Sequence, residues 1–133
     1  MTVGETDLDL LLASMQPALH DHPFVFITVD ADQASVLWPD AFALIREAEG
    51  VTVVLPLDAA QRAGLPTEAQ WAGITLKVHS SLNAVGFLAA ISARLAASGL
   101  SLNPLAGYYH DHLFVPWDRR EEALAALASF AVQ

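Results

Sequence analysis

Serines, an asparagine and a glycine stand together in one short stretch, Ser80–Gly86, at the start of an apolar segment with helical spacing. The first turn of a helix has backbone N–H groups without partners inside the helix, and the helix dipole places partial positive charge at the same end. These groups suit a carboxylate or another small anion. A serine hydroxyl or the Asn83 amide adds a side-chain hydrogen bond, and Gly86 lets a ligand or a neighbouring backbone approach closely. We expect this stretch to be the ligand site.

Three alternatives use the same residue types. The first is structural, with Ser81 only capping the helix and Gly86 only packing beneath it. The second is a metal site at His110, Asp111 and His112, with His79 on a nearby strand. Two imidazoles spaced i, i+2 in a tight turn would need strained geometry to reach one ion, and aspartate also favours turns for its own reasons. The third is a Ser-His-Asp nucleophile, although the sequence has no Gly-x-Ser-x-Gly elbow.

A strand and a helix flank the predicted ligand loop. Ile74, Leu76 and Val78 alternate with polar residues, which is the period-2 pattern of a half-buried strand. Apolar residues then recur with helical spacing between Leu82 and Ser98, and Gly99 supplies a left-handed residue past the helix end. The sequence therefore predicts a strand that leads directly into a helix.

The elements that follow match a known supersecondary pattern. Leu102–Tyr109 and His112–Val115 are predicted to be strands of a hairpin that turns tightly at His110-Asp111. With a last helix, the order strand–helix–strand–strand–helix is the split β-α-β pattern of a ferredoxin-like α+β fold, one strand short. We expect a strand from the N-terminal half, with Phe24–Val29 as the candidate, to complete the sheet. The two halves would then not fold separately.

The N-terminal half contains the same kinds of element. In chain order the sequence predicts a helix opened by Thr6 or Asp7, a strand at Phe24–Val29, a turn at Asp30–Gln33, a strand at Ala34–Trp38, a helix from Pro39 through Ile45, a strand at Val51–Leu55 and a short helix at Asp58–Ala63. In the C-terminal half, the last helix is predicted from Asp118 and Glu121, which stand at capping-box spacing. Each half is therefore expected to form one α+β module, at residues 1–66 and 67–133. The boundary between them is too short to be a free linker.

Composition excludes several classes of partner. Of 133 residues, 54% are hydrophobic and 16% charged, which predicts a large buried core rather than disorder. The net charge is -9, with 6 Lys and Arg against 15 Asp and Glu, so no basic surface for nucleic acid or an anionic membrane is expected. There are no cysteines, which excludes disulfides and thiolate chemistry. The N-terminus is acidic and no apolar run approaches the roughly 20 residues of a membrane span, so we expect a soluble cytoplasmic protein.

The segment Val78–Ile91, which contains the ligand loop, resembles an ACT domain, the regulatory amino-acid-binding module of aspartokinases and related enzymes. Leu95–Asn103 is similar to that family's helix end, glycine and second strand. Tyr108–Pro116 is similar to the hairpin of small, free-standing bacterial tandem ACT proteins. Phe24–Leu37 resembles the N-terminal module of the same group and, more distantly, that of eukaryotic arginine-sensing ACT proteins. The resemblance covers about Leu19 to Leu127.

This resemblance implies a ferredoxin-like fold in which two ACT-like modules share an antiparallel sheet. It also implies that ligands bind where the loop after one module's first strand faces a strand of another module. Carried over by position, the loop is Ser80–Gly86 and the facing strand is Asn103–Ala106. The implied ligand-binding residues are Ser80, Ser81, Leu82, Asn83, Ala84, Val85, Gly86, Asn103, Pro104 and Ala106.

We therefore expect a regulatory or sensor protein that binds a small molecule, by resemblance an amino acid, as a homodimer. No catalytic domain, metal or cofactor is expected. The ligand carboxylate would meet the N–H groups of Ser81–Val85, and an acidic group that the sequence does not identify would take the amine. The alternative is a structural or oligomerisation module with a vestigial ligand site. An enzyme that uses the cluster from His110 to His112 is a third hypothesis.

Overall fold

The computed structural model describes residues 4–131. In chain order its elements are α1 (Leu8–Ala13), β1 (Pro17–Val29), α2 (Ala31–Leu37), β2 (Ala43–Arg46), β3 (Val51–Pro56), α3 (Leu57–Arg62), β4 (Trp71–Leu76), α4 (Phe87–Ala97), β5 (Asn103–Ala106), β6 (Asp111–Pro116) and α5 (Arg120–Ala128), with short 3-10 helices at Trp38–Asp40 and Trp117–Arg119. The chain divides into a central unit, Asp21–Trp71, and a terminal unit, Met1–His20 with Ala72–Gln133. Strand β1 contributes residues to both units. No helix within residues 4–131 is long and apolar enough to span a bilayer.

In the terminal unit, β4 lies between β1 and β6, and β5 pairs with β6 at the edge. The β5–β6 pairing is antiparallel, with Asn103 opposite Phe114 and Ala106 opposite Asp111. Alternate residues of β4 share one face, because successive side chains of a strand point to opposite sides. That face packs with α1, α4 and α5 in one buried cluster of Leu11, Met15, Ala72, Ile74, Leu76, Phe87, Ile91, Leu95, Leu100, Leu113, Val115, Ala123, Leu127 and Phe130. Each large side chain buried there contributes about 1.5–3 kcal/mol to folding.

The order β4–α4–β5–β6–α5 is the expected strand–helix–strand–strand–helix, and β1 takes the fourth strand's place beside β4. The ferredoxin-like α+β prediction is therefore confirmed. The part of β1 in the terminal unit is its start, up to His20, and just before it the N–H of Lys77 donates to the carbonyl of Gln16 at 3.2 Å. The strand that completes the sheet, β1, contains the candidate segment Phe24–Val29, and that segment also pairs antiparallel with β3.

The central unit has the strand order β2-β3-β1 with antiparallel pairing throughout, and it buries its own apolar cluster against α2 and α3. Two sequence predictions here were wrong. Ala34–Trp38 was expected to be a strand, but most of it lies in α2, which Asp30 caps by accepting the N–H of Gln33 at 2.8 Å. The helix expected from Pro39 is replaced by a 3-10 turn followed by strand β2, whose Leu44 packs on the cluster.

Several predicted bounds also shift in the terminal unit. The predicted α1 is confirmed, with Asp7 accepting the N–H of Leu10 at 3.0 Å. Helix α4 begins at Phe87 rather than Leu82, because the intervening residues form a separate turn. The hairpin turns through the four residues after Ala106, so Asp111 is the first residue of β6 rather than part of the turn. Helix α5 begins without a side-chain cap, so the expected capping box is not formed.

Candidate functional site

The start of α4 leaves backbone donors available. Gly86 caps the helix in the left-handed region, with φ of 90°, and no side chain accepts a hydrogen bond at this end. The first bond of the helix runs from the N–H of Ala90 to the carbonyl of Gly86, at 2.9 Å. Within residues 4–131, the N–H groups of Phe87, Leu88 and Ala89 donate to no acceptor. These three donors point out of the helix at its positive end, which is the arrangement that favours an anion.

The preceding loop differs from the expected arrangement of free donors. The N–H of Ser81 donates to the carbonyl of Glu5 at 2.8 Å, the N–H of Asn83 donates to the Ser81 hydroxyl at 3.0 Å, and the N–H of Ala84 donates to the Ser81 carbonyl at 3.0 Å. Three of the amides expected to meet a ligand carboxylate are therefore already bonded inside the protein. Because α4 begins at Phe87, the available donors are those of the residues after Gly86.

A cavity of about 180 Å³ opens beside this helix start. It is lined by Ser80, Ser81, Leu82, Ala84, Gly86, Phe87, Leu88, Ala89, Ala106 and Asp111. For scale, an engineered cavity of about 150 Å³ binds benzene. The space is therefore sufficient for a small organic molecule.

Six of the ten residues implied by the resemblance line this cavity, namely Ser80, Ser81, Leu82, Ala84, Gly86 and Ala106. The other four lie elsewhere. Asn83 lines a neighbouring recess of about 190 Å³ with Ser81, Leu82 and Tyr108. Val85 is 83% exposed, and Asn103 and Pro104 are exposed at the beginning of β5. Only the last residue of β5, opposite Asp111, reaches the cavity, because the strand runs away from it.

The structure adds a polar pair that the sequence analysis did not place at the site. The hydroxyl of Ser80 donates to Oδ2 of Asp111 at 2.8 Å, and both residues are buried. Asp111 shares a strand face with Leu113 and Val115, which belong to the helix-covered core. The sequence signal was therefore the alternation along β6, which places an aspartate in line with two core residues.

The same alternation separates the residues of the hypothetical metal cluster. His112 lies on the opposite face from Asp111, and its Nδ1 is 2.9 Å from the Thr75 hydroxyl, which is also 2.9 Å from Nε2 of His20. Burial lowers the pKa of His112, and the nearby imidazoles of His110 and His20 lower it further. No three His, Asp or Glu side chains are grouped as metal ligands in the described part of the chain.

This topology defines a tandem of ferredoxin-like modules, the second of which has an open helix start beside a cavity. The chain belongs to the ACT-domain family, since one ACT-domain model matches residues 3–72 and another matches residues 68–129. The expected family is thus confirmed, and with it a tandem of regulatory-type domains.

Solved structures agree with this assignment. A protein of unknown function from Vibrio cholerae, described as a possible transport protein, is 48% identical over 90% of this chain and 92% of its own, with a TM-score of 0.80. The ligand-free regulatory subunit of aspartate kinase from Thermus thermophilus is 13% identical over 91% of this chain and 99% of its own, with a TM-score of 0.61. Aspartate kinase from Clostridium acetobutylicum is 9% identical over 86% of this chain and 34% of its own, with a TM-score of 0.62. The two kinase likenesses concern the fold alone. No curated protein sequence matches the chain.

Proposed function

We propose that this protein is a regulatory or sensor protein that binds a small amino-acid-like molecule at the start of α4. The observation that carries the proposal is the group of three unbonded amides, at Phe87, Leu88 and Ala89, on the wall of the cavity. A ligand carboxylate placed there accepts hydrogen bonds from fixed donors at the positive end of an 11-residue helix. The shared fold of aspartate kinase regulatory subunits supports a regulatory role.

The ligand-binding residues implied by the resemblance remain part of this proposal, with the contacts redistributed. Ser80, Gly86 and Ala106 form the wall, and the carboxylate moves from the Ser81–Val85 amides to those of the first helical turn. Ligand binding can regulate a partner only if two arrangements of the modules differ in their affinity for the ligand, because only then does the ligand shift the equilibrium between them. The proposed form is a homodimer.

Thermal-shift and calorimetric titration with the twenty amino acids and common metabolites tests the proposal on the full chain. We expect at least one amino acid to raise the unfolding temperature, because a ligand at one hundred times its Kd stabilises the folded state by about 2.7 kcal/mol. The corresponding amine without a carboxylate should not do so. A flat response to every compound at millimolar concentration would contradict the proposal.

A pair of bulky substitutions locates the binding site. Ala106 is exposed at the edge of the cavity, so A106F should fill the opening with little effect on folding and should abolish binding. Ala97 is exposed at the opposite end of α4, so A97F is the matched control and should bind normally. Equal binding by both variants would place the ligand elsewhere.

The alternative function, an oligomerisation module with a vestigial site, is favoured by a separate observation. Large apolar or aromatic side chains are exposed around the loop: Leu82 is 66% exposed, Val85 is 83% exposed, and Tyr108 and Tyr109 are about half exposed. Such residues are typical of contact surfaces between chains. If oligomerisation is the function, V85S with L82S should dissociate the oligomer in light scattering while no amino acid binds to the wild type.

A further inference from the structure

We propose that Asp111 is the acceptor for the ligand's ammonium group, so that the cavity selects zwitterionic α-amino acids with small side chains over simple carboxylates. This inference rests on the function proposed above, in which the first turn of α4 holds the carboxylate. It names the acidic group that takes the amine, and it sets the chemical class of the ligand.

The first argument is the unused oxygen of Asp111. Asp111 is 7% exposed, and its Oδ2 accepts a hydrogen bond from the Ser80 hydroxyl at 2.8 Å. No side chain or backbone group among residues 4–131 donates to its other oxygen, Oδ1. Within the same residues, no fully enclosed side-chain oxygen lacks a partner, so Oδ1 retains contact with open space. Asp111 lines the cavity, so its carboxylate lies at the cavity wall.

The second argument is the balance of charge. A buried carboxylate is costly unless a cation or several donors compensate it. Within the described chain, no Lys, Arg or His nitrogen lies within ion-pair distance of Asp111. One hydroxyl and one carboxylate are also too few ligands for a protein-bound calcium or zinc ion. A single ligand that carries an ammonium group supplies the positive charge that would compensate the Asp111 carboxylate.

The third argument is the hydrogen-bonding capacity of the pair. An ammonium group has three donors and no acceptor. Asp111 Oδ1 can accept one of them. The Ser80 oxygen, whose proton is committed to Oδ2, still has lone pairs that can accept another. Ser80 thus both orients the carboxylate and adds an acceptor.

Two parts of the cavity lining therefore carry opposite preferences. The amides of Phe87, Leu88 and Ala89 favour an anion, whereas Asp111 repels one and favours a cation. A molecule that carries an ammonium and a carboxylate group on the same carbon satisfies both preferences, and a simple carboxylate satisfies only one. The volume of about 180 Å³ restricts the side chain to a small one.

The test uses calorimetry on the full chain with eight probes in four pairs: glycine and acetate, L-alanine and propionate, L-serine and 3-hydroxypropionate, and L-threonine and 3-hydroxybutyrate. We expect at least one amino acid to bind the wild type about 10- to 100-fold more tightly than its partner carboxylate, which is the effect of one lost hydrogen bond to a charged group. Asp111→Asn should weaken the binding of that amino acid by a similar factor. Binding of the partner carboxylate should be unchanged or tighter in this variant. Asp118→Asn, at an exposed aspartate outside the cavity, should change neither.

Equal affinity within every pair, or an amino-acid affinity that Asp111→Asn does not change, would overturn the ammonium assignment while leaving the carboxylate contact of the proposed function intact. Binding of none of the eight probes would overturn the assignment too, and the titration with twenty amino acids then decides separately whether the proposed function stands. The paired probes need only the wild type, so the assignment is tested even if Asp111→Asn does not fold.

Discussion

The hydroxyl of Ser80 donates a 2.8 Å hydrogen bond to Oδ2 of Asp111, although 31 positions separate the two residues in the chain. Ser80 follows β4 and Asp111 begins β6, so the bond joins the loop before α4 to the end of the hairpin. Both residues are more than nine-tenths buried. This bond fixes the polar wall of the cavity, and its loss should be measurable in stability as well as in binding.

We predict that Ser80→Ala lowers the free energy of unfolding by about 1–3 kcal/mol, because the buried Asp111 carboxylate loses the only donor it has among the described residues. Urea unfolding followed by circular dichroism measures this change. Ser35→Ala, at an exposed serine of α2, is the control and should stay within about 0.5 kcal/mol of the wild type. Equal stability of the two variants would show that the buried bond contributes nothing.

Local patterns predicted those elements whose signals lie within one turn or one strand. Asp7 before α1 and the alternation of Ile74 and Leu76 in β4 are examples, since a cap and a strand face depend on residues a few positions apart. The strand prediction at Ala34–Trp38 was wrong because a short apolar run fits a strand and a helix equally well. The Asp30 cap of α2 was the local signal that should have decided it.

The site was predictable as a region but not in its chemistry. The loop at Ser80–Gly86 does line a cavity. However, the N–H of Ser81 donates to the carbonyl of Glu5, which is 76 positions earlier in the chain, and no sequence spacing predicts such a bond. Asp111 reaches the cavity only through the register that pairs it with Ala106. Relationships of this kind depend on tertiary pairing, which a single sequence does not display.

The left-handed cap of α4 gives a second prediction. Gly86 has φ of 90°, and an added Cβ would meet only the Leu8 side chain, at 3.4 Å. Gly86→Ala should therefore lower the free energy of unfolding by about 1–2 kcal/mol through backbone strain rather than through a clash. Gly86→Asn should cost less, because asparagine tolerates the left-handed region. Thermal unfolding of the alanine and asparagine variants measures the difference. An alanine variant as stable as the wild type would contradict the left-handed conformation of residue 86.

A third prediction tests α2, the element for which the sequence predicted a strand. The Asp30 carboxylate accepts the N–H of Gln33 at 2.8 Å, so Asp30→Ala should destabilise the protein by about 1 kcal/mol. Asp30→Ser keeps a capping oxygen and should recover most of that loss. Urea unfolding distinguishes the two variants. If the segment were a strand, alanine and serine at this position would unfold alike.

The partly buried imidazole of His112 gives a fourth prediction, concerning pH. Burial lowers the pKa of His112 below the ordinary histidine value of 6.5, and the nearby side chains of His110, His20 and Lys77 act in the same direction while Asp111 opposes them. Below pH 6.5 the unfolded chain therefore binds a proton at His112 that the folded chain resists. The stabilisation due to the neutral imidazole is fully present above pH 6.5 and is lost as the pH falls towards the lowered folded pKa.

His112→Asn removes the titration while keeping a side-chain amide near the position of Nδ1, which contacts the Thr75 hydroxyl at 2.9 Å. We expect the fall in unfolding temperature between pH 7.5 and pH 5.5 to be smaller in this variant than in the wild type. Gln61→Ala, at an exposed residue of α3 that carries no titratable group, is the control and should keep the wild-type slope. Thermal unfolding in matched buffers of constant ionic strength measures all three slopes. Parallel slopes for the wild type and His112→Asn would mean that protonation of this imidazole does not oppose folding, in contradiction to its burial.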